Sequence, residues 1–269
     1  MVINLNIDSN KYKDLCVILH NISSWPNDWI LFIESNKEMF NNYYKEEKRI
    51  NLVRNKNDNF NPFTKNKYQN SFNKLIEEFK ELVSNKKYKV LGIHATRLMD
   101  YEVNNILLNG LDILSEDLLQ VKLKLLLNNE LIDKDEYEWL NSHNMLNSKQ
   151  RESRIGLIYF TIGQQIINTK IENHNFYYLL NNYGGEAINM KNKDNYKLFE
   201  KLNYYSKPYF IVCSLNASVL NDVLDIYENM VKYYLKIDDK KFGFDVRVKN
   251  KKQYQVLDII NVDDVSVMD

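Results

Sequence analysis

Three runs of β-prone apolar residues, "YKVLGIHA", "RIGLIYFTIG" and "KPYFIVCSL", constrain this chain more than any other feature. Each is bounded by polar sequence and predicts a strand. The second is closed by Gly163 and predicts a buried strand, and the third tolerates Pro208 at its start. A further stretch, "FGFDVRVKNKKQYQVLDII", alternates at Phe244, Val246 and Val248, turns at "KNKK" and resumes at Tyr254, Val256 and Ile259. It predicts a β-hairpin or two separate sheet strands.

Helices fall before, between and after these runs. Phe72, Leu75, Ile76, Phe79, Leu82 and Val83 recur at helical spacing, with Asn70 or Ser71 as the cap. Asp100 is placed to cap a helix over Tyr101 to Asn109, with Val103, Ile106, Leu107 and Leu111 on its buried side and Gly110 as its left-handed stop. A longer helix begins near Ser115, and Asp133 with Glu136 forms a capping box ahead of "YEWL". These two read as an insertion, about 115–150, between parts of a sheet. Ser218 is placed to cap a helix with Val219, Val223, Ile226, Tyr227, Met230 and Tyr234 on its apolar side. The expected fold class is therefore α+β, with a mostly antiparallel sheet. Residues 1–85 form an N-terminal segment ahead of a domain over 86–269. In that segment, "DLCVILH" and "DWILFIES" fit either strand or helix.

At 269 residues with 44% apolar side chains, the chain can bury a sizeable core. Thirty-six basic and thirty-six acidic residues cancel, so no whole-molecule field draws in nucleic acid or an acidic membrane. A local patch remains a candidate for nucleic acid. Lys45 to Phe72 is basic and carries Phe60, Phe63, Tyr68 and Phe72, the interleaving that serves single strands, although a solvated loop with anchoring aromatics explains it too. Two cysteines, Cys16 and Cys213, make neither a disulfide framework nor a cysteine zinc site. No leader and no membrane-spanning run is read, so a cytoplasmic protein without membrane partners is expected. The four histidines, His20, His94, His143 and His174, lack metal-ligand spacing, and no metal is expected. No P-loop, dinucleotide fingerprint or nucleophile elbow is present. Six of the seven glycines lie between Gly92 and Gly185, which points to the middle third as the place where backbone turns sharply or approaches something closely.

Within that third, "HATRLMDYEVNNILLNGL" resembles the His-Gly-Ser/Thr segment of the poly(ADP-ribose) polymerase-like ADP-ribosyltransferases. The likeness lies in His94, Thr96 and Arg97, then Ile106-Leu107, then Gly110-Leu111. "GLIYF" is similar to the family's Gly-x-Ile-Tyr-Phe strand, through Gly156, Ile158, Tyr159 and Phe160. "YGGEAI" offers Glu186 where the family has an acid at the start of a later strand. The resemblance covers roughly 88–215, about half the chain, and "HATR" with a Gly-Gly-Glu stretch is also similar to a set of bacterial proteins. Ala95 stands where the family has glycine. The serine and second tyrosine that follow the Tyr strand are not matched, that stretch reading Ile167, Asn168, Thr169, Lys170.

The resemblance implies a split sheet of ADP-ribosyltransferase type and NAD as a substrate. His94 would hold a ribose hydroxyl, the Ala95 backbone the nicotinamide amide, and Tyr159 the nicotinamide ring. Thr96 and Arg97 would contact ribose or phosphate, and Glu186 would bind the ribose and orient the acceptor. Those roles suit an oxocarbenium-like transition state. The implied activity is mono-ADP-ribosylation of a protein or nucleic acid. A bacterial toxin or phage-defence effector with an antitoxin partner is the implied setting. An NAD glycohydrolase, or a module that binds ADP-ribose or RNA without chemistry, are the alternatives.

Overall fold

The computed structural model describes residues 2–4, 9–56, 64–85, 87–149, 151–163, 166–168, 175–188, 195–237 and 243–264. Its strands are β1 (Val2–Asn4), β2 (Lys89–Leu98), β3 (Ile158–Gly163), β4 (Ile166–Asn168), β5 (Lys207–Asn216), β6 (Gly243–Val248) and β7 (Tyr254–Asn261). Before β2 come α1 (Ser9–Tyr12), α2 (Asn27–Ser35), α3 (Lys37–Lys56) and α4 (Gln69–Val83). Between β2 and β3 lie α5 (Asp100–Asn109), α6 (Glu116–Asn128), α7 (Lys134–Ser142) and α8 (Arg151–Arg154). Then follow α9 (Asn175–Asn181), α10 (Gly185–Ile188), α11 (Tyr196–Tyr205) and α12 (Ile226–Tyr234).

The three apolar runs form the middle of a five-stranded antiparallel sheet with order β6-β3-β2-β5-β7. The fold is α+β, as the pattern of elements predicts. The last two strands do not form a hairpin with each other. They lie at opposite edges of the sheet, β6 on β3 and β7 on β5. A short turn at "KNKK" permits a hairpin, but both inner strands offered a free edge, where Val246 and Val248 of β6 are buried and Tyr254, Val256 and Ile259 of β7 are half-buried against the core.

Side chains alternate across the sheet. On one face Val90, Phe160, Ile211, Cys213, Leu215, Val246 and Val248 join a core with Trp25, Trp29, Ile33, Phe40, Phe72, Phe79 and Met230. The N-terminal helices α2, α3 and α4 thus share one core with the sheet. "DWILFIES" is helix α2, while "DLCVILH" contributes only a single parallel bridge, Val17 to Val90. Gly92 sits under this core. A methyl group there would lie 2.5 Å from Leu215 Cδ1 and 2.9 Å from Leu215 Cγ. On the other face Ile93, Ala95 and Phe210 pack against Leu180 of α9 and Val262. The inserted helices share a second core with α11 around Leu119, Leu123, Leu126, Leu140, Tyr183, Phe199 and Leu202.

Several local expectations shift. Asp100 is the first residue of α5 rather than its cap: the Met99 N–H is held by the Glu102 carboxylate at 2.9 Å. Leu107, expected on the buried side, is exposed. Helix α4 starts at Gln69, and Asn66 organises that start by accepting from the Tyr68 N–H. The helix expected from Ser218 divides into a 3-10 turn, Ala217–Asp222, and α12, with Asp225 at φ 57° between them. Ser115 and the Asp133–Glu136 capping box act as read. No described helix is long and apolar enough to cross a membrane.

Gly92→Ala should destabilise the protein by about 1–3 kcal/mol, because the new methyl overlaps Leu215 in a filled core. Urea unfolding monitored by tryptophan fluorescence measures it.

Candidate active site

Strands β2 and β3 are both long, yet their ladder has a single registered pair, Ile93 with Thr161. Backbone direction along β2 locates the break. Leu91 N–H donates to the Val17 carbonyl and Val17 N–H to the Lys89 carbonyl, on the edge that β5 does not occupy. Ala217 N–H meets the Tyr88 carbonyl on the β5 side. Alternation therefore turns the N–H and C=O of Ile93 and Ala95 to the β3 edge. Ile93 meets Thr161 there. Ala95 would meet Tyr159 next, but the Tyr159 carbonyl is held by His94 Nδ1 at 2.8 Å. A carbonyl only accepts, so Nδ1 carries the proton and Nε2 is left as an acceptor.

The strands part at this point, and a cleft of about 890 Å³ opens between them. His94, Ala95 and Thr96 line it from β2, and Tyr159 and Thr161 from β3. Asp245 adds to it from β6, and Gly184 and Gly185 border it at α10. The inserted helices close the far side with an apolar wall that includes Leu118, Val121 and Leu125 of α6. Burial holds the His94 pKa below its ordinary 6.5, partly countered by the Tyr159 carbonyl and reinforced by the nearby Lys122 charge. The imidazole is thus neutral at physiological pH. Tyr159 is fixed at its hydroxyl and over one face of its ring: the hydroxyl donates to the Ser153 carbonyl at 2.7 Å, and the Arg154 guanidinium lies 4.6 Å from the ring centre.

The residues expected from sequence divide. His94, Ala95, Thr96 and Tyr159 come together around the cleft. Arg97 does not line it: its guanidinium donates to the carbonyls of Leu180, Asn203 and Ser206 and to the Ser206 hydroxyl, at 2.7–3.0 Å. All of these donors serve the packing of α9 and α11 against β2, so the structure places Arg97 apart from His94, Ala95, Thr96 and Tyr159, away from the ribose or phosphate contact expected for it. Glu186 is expected at a strand start and lies instead in the one-turn helix α10, where only its backbone is described; its neighbours Gly185 and Ala187 border the cleft. The two glycines preceding it have φ of 71° and 51°, so the Gly-Gly turn exists as read. His174, Thr169 and Lys170 lie outside the described residues, and of Asn168 only the backbone is described.

The two ends of the basic, aromatic stretch are helical. Lys45 to Lys56 belong to α3, Phe72 is buried in the core with its ring stacked 3.7 Å from Tyr43, and Tyr68 packs beside it. Phe60 and Phe63 lie outside the described residues.

Other cleft residues were not anticipated. Glu102 of α5, only 7% exposed, pairs with Lys122 of α6 at 2.6 Å. Tyr183 packs beneath that lysine, and burial with Glu102 raises its pKa well above the usual 10. Asp112 pairs with Lys251. Asp245 accepts from the Thr161 hydroxyl at 2.8 Å. Among the described residues no group of three or more His, Cys, Asp or Glu is placed to hold a metal. Comparison of the chain with protein-family models, curated proteins and solved structures finds no match in any of the three.

Arg97→Lys should cost about 2 kcal/mol or more, since one ammonium cannot replace a planar fork bound to four oxygens. Thermal unfolding checks this. A pH effect follows from the histidines. Burial lowers the pKa of both His94 and His20 below 6.5. As pH falls, the unfolded chain takes up these protons first, so stability should be level above about pH 6.5 and decline below it. Unfolding midpoints between about pH 8 and about pH 5 test the sign, and His94→Gln should flatten the decline.

Proposed function

We propose that the protein is an NAD-dependent ADP-ribosyltransferase with a split sheet of that family's type. The observation that carries this reading is the backbone of Ala95. One residue turns an N–H donor and a C=O acceptor together to the open edge of a strand, the complement of a flat primary carboxamide. Nicotinamide carries such a group. The Tyr159 ring supplies a flat surface at the same edge for the pyridine. His94 Nε2, held as an acceptor, suits a ribose hydroxyl donor on the adenosine half. Thr96 shares the His94 face of β2 and can add a hydroxyl to the same sugar. The Ala95 methyl, where the family has glycine, turns away from the ligand edge into the pocket of Phe210 and Leu180, so it leaves that edge open.

The chemistry follows from holding both halves of NAD. A dinucleotide fixed at its amide, its pyridine and its far ribose presents the bond between C1′ and the nicotinamide nitrogen to the space beside β3 and β6. Binding energy from the remote half then serves the reacting half. The apolar wall of α6 limits water, which favours a macromolecular nucleophile over hydrolysis. The acceptor, protein or nucleic acid, reaches the site from outside the cleft. A toxin or defence role, with an antitoxin partner, belongs to this same reading through the bacterial proteins that share "HATR".

Incubating the protein and cell extract with NAD labelled on its adenylate half should release nicotinamide and transfer label to a macromolecule. His94→Ala should weaken NAD binding by more than the about tenfold that one good hydrogen bond is worth, because it also removes the bond that holds the Tyr159 carbonyl away from β2. Label recovered only as free ADP-ribose would make the protein a glycohydrolase. Absence of both NAD binding and nicotinamide release would overturn the reading.

A further inference from the structure

We infer that Asp245 is the carboxylate that acts on the reacting ribose. This rests on the ADP-ribosyltransferase reading and departs from the assignment of Glu186. Strand β6 runs alongside β3, with Asp245 opposite Thr161 and Arg247 opposite Tyr159. Phe244, Val246 and Val248 turn to the core, so Asp245 turns to the face that carries Tyr159 and Thr161. It lines the same cleft as His94 and Ala95.

Ion pairing separates the described acids of the cleft. Glu102 is neutralised by Lys122 and holds the Met99 N–H, and Asp112 is neutralised by Lys251. Asp245 has no cationic partner among the described residues. Among the described residues its side chain is bound by the neutral Thr161 hydroxyl, which donates to Oδ1. Thr161 is itself buried, so the bond fixes the carboxylate against the sheet and leaves Oδ2 for a ligand. Asp245 is exposed at the mouth of the cleft, and an unpaired carboxylate fixed there by Thr161 stabilises a cation that develops beside it.

The step balances without a further reagent. The bond from C1′ to the nicotinamide nitrogen breaks, and its electron pair goes to that nitrogen, giving neutral nicotinamide. Positive charge develops on C1′ and the ring oxygen of the ribose, next to Asp245. An acceptor O–H or N–H attacks C1′ and forms the new glycosidic bond. Its proton passes to Asp245 Oδ2 and from there to solvent. Before bond cleavage, the same oxygen accepts from a hydroxyl of the reacting ribose and orients the sugar.

The test compares Asp245→Asn, Thr161→Val and Glu186→Gln, reading NAD binding and nicotinamide release separately. Asparagine keeps the shape of Asp245 and can still accept from Thr161. Asp245→Asn should lower kcat for nicotinamide release by about 10²-fold or more, with the NAD dissociation constant within about threefold of wild type. Thr161→Val should lower kcat less, through looser placement, and Glu186→Gln should leave most turnover. Asp245→Asn retaining more than about a tenth of wild-type kcat would overturn the assignment, as would loss of turnover in Glu186→Gln alone. If wild-type protein neither binds NAD nor releases nicotinamide, the functional reading itself fails and this assignment falls with it.

Discussion

The hydrogen bond from His94 Nδ1 to the Tyr159 carbonyl is the interaction on which the rest of the site depends. Without it, β2 and β3 have every reason to zip together: both are apolar, antiparallel and already in register at Ile93 and Thr161. An imidazole that takes the next carbonyl ends the ladder there. The strands part, the Ala95 backbone is left on an open edge, and a cleft forms at the break. The same bond fixes the histidine tautomer. One contact therefore sets a fold feature, a backbone docking edge and the acceptor character of Nε2.

The second constraint is that the cleft is built between two cores. The sheet packs on α2, α3, α4 and α12 through one core, and the inserted helices α6 and α7 pack with α11 through another. Met99, at the end of β2, belongs to the second core, so the strand that carries His94 is anchored at both. The Glu102–Lys122 pair ties α5 to α6 along the wall between them. A buried pair of this kind contributes more to geometry than to stability, because its attraction is offset by desolvation. Its effect on the cleft is to remove one negative and one positive charge from the field there, which leaves Asp245 distinct.

Most of the architecture was legible in the sequence because it is written in local periodicity. The three apolar runs and the α4 and α6 helices satisfy their patterns with near neighbours, and tertiary packing agrees with propensity. What was not legible is pairing over long separations. The alternation in "FGFDVRV" and "YQVLDII" marks two strands, but nothing local says that one joins β3 and the other β5. The short link between them suggests a hairpin, and only the competition for two open edges rules it out. Boundaries failed for a related reason. Asp100 has the chemistry of a cap, yet Glu102 reaches back to the Met99 N–H and makes Asp100 the first helical residue.

At the site, the same distinction separates what was found from what was missed. "HATR" invites the view that four adjacent residues act together, but in a strand neighbours turn to opposite faces. His94 and Thr96 share one face and line the cleft, Ala95 contributes through its backbone, and Arg97 turns beneath α9, where backbone carbonyls consume its donors. An arginine beside a ligand motif is most useful to the fold when it satisfies helix-end carbonyls, each costly to leave unpaired. Asp245 is the converse. In sequence it is the polar residue of an alternating strand and reads as solvent-facing, which its exposure satisfies. Only the β3–β6 register turns that outward face into one wall of a cleft. A carboxylate so placed needs no motif of its own: its position is inherited from the strand beside Tyr159, and its freedom from the absence of a cation among its described neighbours.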